Sequence, residues 1–235
     1  MLATYEEIYY QMKKEDLFFI CALLLFTSCF IFITPLKEWF IFFSSCTDYR
    51  SLIMAFLKFA VLATLGEVIG LRIKSGKYSA YGFGLIPRMI VWGFLGIAIS
   101  VVMTVFASGV PAMLDRLGAS LSNSFVVAFF ISCFMNLIFA PVFMTLHRVT
   151  DTHIANTGGT LRGFFTPIHF GDILANLNWN SLYRFVFKKT IPFFWIPAHT
   201  ITFLLPQEWR VLFAALLGVV LGVLLSIAMR PKKPL

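Results

Sequence analysis

The sequence predicts an all-α integral membrane protein, a compact bundle of about six transmembrane helices. Three observations predict it. The first is composition: of 235 residues, 59% are hydrophobic, 17% aromatic and only 13% charged, and the mean hydropathy is +0.86. Soluble domains carry roughly 25% charged residues, so half the usual charge cannot coat a soluble globule of this size. The second is a series of apolar windows of about 20 residues, the length that crosses a bilayer as a helix. The third is the placement of the basic residues between those windows. A cytosolic enzyme, a disordered chain and a nucleic-acid module are excluded, although the net charge is +8.

The windows are taken in chain order. The amphiphilic segment MLATYEEIYYQMKKEDL leads into the first, Leu17 to about Thr34, which lacks an A-x-A cleavage site and reads as a retained helix. Lys37 to Cys46 is a short aromatic stretch suited to the headgroup layer. The second window is Leu52 to Leu71, the third Met89 to about Ala107, and the fourth Ser124 to about Leu146. The fifth, Tyr183 to Leu205, holds Lys188, Lys189, Pro192 and Pro197 and reads as kinked or partly interfacial. The sixth is Val211 to Met229. No alternating ten-residue pattern of a β-barrel occurs. Residues 1–50 form an N-terminal extension and 51–235 a single bundle domain. Cys21, Cys29, Cys46 and Cys133 are scattered and match neither a zinc site nor a disulfide framework.

Six spans put both termini on one side. That side holds Lys13, Lys14, Arg72, Lys74, Lys77, Arg88, Arg148, Arg162, Arg184, Arg230, Lys232 and Lys233, against Lys37, Arg50, Arg116 and Arg210 opposite. Twelve basic residues against four is a positive-inside bias. It directs both termini to the cytoplasm, or to the matrix in a mitochondrial membrane. A bacterial chain would lie in the inner (plasma) membrane and a eukaryotic one in an organellar membrane.

Small residues recur every four positions: Ala214, Gly218, Gly222 and Ser226; Gly96, Ser100, Thr104 and Ser108; Ala128, Ser132, Asn136 and Ala140; Gly66 and Gly70. Helices in lipid associate by close packing through such stripes, and the same faces could instead line a narrow polar pore. Ionisable groups within apolar windows are functional candidates. Glu67 is one, and Arg88, Lys188 or Lys189 could serve as its partner. Trp195, His199 and Thr202 share a face, with Pro197 between them freeing a carbonyl. His147 and Asp151 stand four apart at the start of a long polar connection, His147 to Asn180, with His153, His169 and Asp172 further on. Their spacing matches no metal motif, and no nucleophile elbow or phosphate loop occurs, so neither a metal, a cofactor nor an enzyme activity is expected.

The chain resembles the family of the 22-kDa peroxisomal membrane protein and its mitochondrial inner-membrane relative, Mpv-seventeen. The resemblance runs from about Lys58 onward. The G-D-x-x-x-Q element reads Gly66-Glu67-Val68-Ile69-Gly70-Leu71, and Arg88, Gly93 and Gly96 match an arginine followed by glycines. The D-Q-x-x-x-A-P element is similar to Met135-Asn136-Leu137-Ile138-Phe139-Ala140-Pro141. The W-P-x-x-Q-x-x-N-F element, followed by V-P-x-x-x-R-V, resembles Trp195 to Phe203 and then Pro206 to Val211, with His199 for the glutamine and Thr202 for the asparagine. The resemblance implies a small pore-forming or channel-like membrane protein.

Two functions follow as expectations. One is a channel-like pore or transporter for small solutes or ions, built on Glu67, Arg88, Asn136, Trp195, His199 and Thr202, with Gly66, Gly70, Gly93, Gly96, Gly218 and Gly222 packing the helices. The other is a non-transporting protein that binds lipid or scaffolds a membrane assembly. Membrane lipids are the expected partners, with further copies of the chain in a homo-oligomer, and nucleic acid is not. Glu67, Arg88, Asn136 and His199 are expected to converge on one polar interior cluster.

Overall fold

A computed structural model describes residues 49–119 and 121–228 continuously, with side chains to Leu224, together with Asp16, Leu17, Phe19, Ile20, Cys21, Leu24, Leu25 and Glu38. The chain divides into two units, Met1–Thr47 and Asp48–Leu235. In the first, the described residues are helical. Most of the first window and of the aromatic stretch from Lys37 to Cys46 lies outside the described residues.

The second unit is helical, with no strand among the described residues. Helix α1 spans Tyr49–Ser75 and α2 Leu85–Arg116. Then come α3, Ser124–Ile138, and α4, Ala140–Asn156. After three short turns, a π-helical segment Leu182–Trp195 leads into α5, Ile196–Leu204, and α6 is Gln207–Ala228. Helices α1 and α2, with Gln207–Leu224 of α6, are long and apolar enough to cross a membrane; α3 and α4 pass the same test only as a pair bent by 46°. Among the described residues there are therefore three such helices, or four with the bent pair as one. The fifth expected window is not one continuous α-helix.

Helix α1 packs between α2 and α6, and α5 lies on α3. Close approach explains the first two pairings. A Cβ built on Gly96 would stand 2.5 Å from Phe59 Cβ and 2.8 Å from the Ala55 carbonyl, and one on Gly93 would enter the Phe56 ring. On the other face of α1, a Cβ on Gly66 would stand 2.8 Å from Val219 Cα, and one on Gly222 would stand 3.1 Å from the Gly66 carbonyl. Small residues let these backbones touch. Buried Phe59, Ala63, Met103, Ala128, Ile131, Met135, Phe203, Ala214 and Ala215 form the core between them.

Two local features set the site. The fourth window breaks at Phe139, because Pro141 supplies no N–H to the Leu137 carbonyl and its ring crowds the preceding turn. Ser132 and Asn136 therefore lie on a different axis from Ala140, which four-residue spacing puts on their face. Helix α4 then continues through His147 to Asn156, where a loop was expected, since Val149 and Ile154 are fully buried. It ends on Gly158 and Gly159, both in the left-handed region. Gly159 meets Gly84, the left-handed residue that starts α2, so closely that a Cβ on Gly159 would stand 2.6 Å from the Gly84 nitrogen. That contact fixes the start of α2 against the end of α4.

Candidate functional site

Helices α1, α2 and α4 each bring charged or polar side chains to one place. Arg88 sits in the first turn of α2 and Glu67 in the second half of α1, and the short connection between the helices brings them together. Arg88 Nη1 donates to Glu67 Oε2 and, at 2.7 Å, to Asp151 Oδ1; its Nε donates to the Phe83 carbonyl at 2.6 Å. Trp92, one turn further along α2, donates from Nε1 to Glu67 Oε1 at 2.9 Å. His147 Nε2 stands 3.2 Å from the same Oε1, and its Nδ1 stands 3.6 Å from Asp151 Oδ2. His147 Nε2 is buried without a well-angled hydrogen bond, so its approach to Glu67 is electrostatic rather than a directed bond. The Trp92 and His147 rings lie 4.4 Å apart. The charged members are mostly buried, between 13% and 18% exposed at the side chain. Charges removed from water in this way persist because each is paired.

A second network joins α3 to α5. Ser132 Oγ donates to the Ile196 carbonyl at 2.7 Å. Asn136 Nδ2 donates to the Ser132 carbonyl at 2.9 Å and lies 3.1 Å from His199 Nδ1. A donor facing Nδ1 assigns the proton of a neutral ring to Nε2. Trp195 lies over His199 at 5.1 Å between ring centroids. Ile196 is the natural acceptor here. Its carbonyl also takes the Thr200 hydroxyl, at the junction where π-helix gives way to α-helix.

The two networks face one interhelical cavity of about 410 Å³, lined by Glu67, Arg88, Trp92, His147 and Asp151 from one side and by Asn136, Trp195 and His199 from the other. Gly66, Gly70, Gly218 and Gly222 also line it. Gly66 and Gly222 are thus close-packing residues of α1 and α6 that also border this cavity. A separate polar cleft of about 920 Å³ runs along the far part of α4, and Arg148 lines both spaces.

Of the expected residues, Glu67 and Arg88 meet directly, and Asn136 meets His199. The four do not form one cluster: two networks share the cavity instead. Trp195 lines the cavity. Thr202 stands apart, fully buried, with its hydroxyl donating to the Ala198 carbonyl one turn back. Gly93 and Gly96 pack α2 on α1. Sequence reasoning did not bring Trp92, His147 or Asp151 to Glu67; the four-residue spacing of His147 and Asp151 was the available signal.

Glu67, His147 and Asp151 each offer one ligand atom, all within 4.8 Å of one another, the shape of a metal site. The Arg88 guanidinium already contacts both carboxylates, so it holds the position that a cation would take. Comparison with protein-family models, with curated proteins and with solved structures returns no match for this chain.

Proposed function

We propose that this chain is a multi-pass membrane protein whose bundle forms a channel-like or transporter-type path for small polar solutes or ions. The observation that carries this reading is the cavity of about 410 Å³ that both polar networks face. Buried intramembrane charge is costly and is kept where it serves a path or a binding place. The backbone around the cavity supports the same reading. The break at Phe139 and the end of the π-helix at Trp195 both border it, and irregular backbone at membrane depth belongs where it lines a cavity. Large apolar side chains on the outside, Phe94, Val105, Leu137, Val142 and Phe193 among them, suit a lipid environment.

In this reading the window Leu17–Thr34 and the broken segment Leu182–Leu204 complete six spans. Both termini then lie on the cytoplasmic or matrix side, as the basic residues favour. The resemblance to the Mpv-seventeen and 22-kDa peroxisomal membrane protein family supports a channel-like role. Purified chain reconstituted in sealed vesicles should release small solutes or carry current, and Glu67→Gln should change which solutes pass. Vesicles that stay tight to every solute would leave the chain as a lipid-binding or scaffolding membrane protein.

A further inference from the structure

The charges around the cavity decide what kind of solute it suits. Every oxygen of its two carboxylates already faces a nitrogen of Arg88, Trp92 or His147. Glu67 Oε2 has Arg88, Glu67 Oε1 has Trp92 and His147, Asp151 Oδ1 has Arg88, and Asp151 Oδ2 has His147. A cationic solute would have to displace the Arg88 guanidinium, which is held a third time by the Phe83 carbonyl. The cations are not matched in the same way. Lys74, in the last turn of α1, and Arg148, on α4, both line the cavity and are exposed, and neither forms an ion pair among the described residues. Arg148 adds only a longer-range attraction to Asp151. Lys74, Arg88 and Arg148 thus outnumber Glu67 and Asp151, and the unmatched charge is positive. Arg148 also borders the larger cleft of about 920 Å³, whose polar lining of Thr152, His153, Asn156, His169 and Asn178 carries one acid, Asp172, against Arg148. Arg148 lines both spaces, whereas Glu67 lines only the cavity.

We infer that the cavity takes a small anion, a carboxylate- or phosphate-sized solute drawn from the polar cleft past Arg148 and Lys74. This rests on the permeation reading above and names the class of its solute. With both carboxylates taken up by Arg88 and His147, the exposed charges left on the cavity wall are Lys74 and Arg148, and an excess of one sign concentrates counter-ions and raises their rate of arrival by tenfold or more. A volume near 410 Å³ lies within the range of sites that hold small organic molecules.

The test uses the full chain in vesicles and nanodiscs of phosphatidylcholine only. Under a potassium chloride gradient the reversal potential should move toward that of chloride. The double substitution Lys74→Gln, Arg148→Gln should lower the anion-to-cation permeability ratio about tenfold, and Lys74→Arg, Arg148→Lys should keep it. Cation preference in the unaltered chain, or a ratio indifferent to the glutamine pair, would overturn the inference. Vesicles tight to all solutes would overturn permeation alone, and binding then decides. Inorganic phosphate should raise the melting temperature of the chain in nanodiscs more than it raises that of the glutamine variant. No such difference, or stabilisation by phosphatidylglycerol but not by phosphate, would overturn a free anion as the occupant.

Discussion

Arg88 is the cation around which the first network is arranged, and its neighbours are unequal in what their loss should do. Arg88→Met leaves Glu67 and Asp151 facing each other with only His147 between them, so stability should fall by about 3–5 kcal/mol, the cost of breaking a buried pair from one side. Glu67→Gln is milder. Arg88 keeps Asp151, and the amide oxygen of the new side chain can still accept from Trp92, so a loss of about 1–3 kcal/mol is expected. Denaturant titration of the two variants in detergent should rank them in that order, and an equal loss would mean that Arg88 is not the shared partner. The pairing itself was legible in the sequence, because an acid and an arginine flanking one short connection have few other places to go. Asn136 and His199 were legible as buried polar groups but not as a separate network. Trp92 was not legible: in a helix rich in apolar residues nothing marks one indole as a hydrogen-bond donor. His147 and Asp151 stood at helical spacing in plain view, yet the polar residues after them disguised the continuation of α4.

Among the elements, the glycines separate packing from mere permissiveness. Gly96→Ala would press a methyl against the Ala55 carbonyl and the Phe59 Cβ, neither of which is a flexible tip, so α1 and α2 must part. A cost of about 1–3 kcal/mol is expected. Gly218→Ala meets only Ala63 Cβ at 3.9 Å and should change stability by less than about 0.5 kcal/mol. Thermal unfolding of the two single variants would check this, and equal losses would dissolve the argument. Four-residue spacing marked both glycines without telling them apart, since only the partner helix decides how close a backbone comes. The long helices α1, α2 and α6 were legible from hydropathy alone. The break at Phe139 was not, because an apolar window reads the same whether it is straight or bent, although Pro141 was there to mark it. The π-helix from Leu182 to Trp195 has no local signature beyond its prolines, and its extra residue per turn is a choice made by packing against α3 and α5.

At the scale of the molecule, the distribution of basic residues is the observation from which its orientation is proposed. Single cysteines placed at each terminus and near Arg116, in a background without native cysteines, should label the termini from one face of a sealed vesicle and Arg116 from the other. Labelling of the two termini from opposite faces would remove the six-span arrangement while leaving the cavity untouched. The bend between α3 and α4 has its own bearing on how that cavity could work. Asn136 lies before the joint and is tied through His199 to α5; His147 and Asp151 lie after it and are tied through Glu67 and Arg88 to α1 and α2. The polar interior is therefore two bonded networks on either side of one bend. Under the permeation proposal, flexing that bend would widen or narrow the space between the two networks while each kept its own bonds, so the aperture would change without breaking either one.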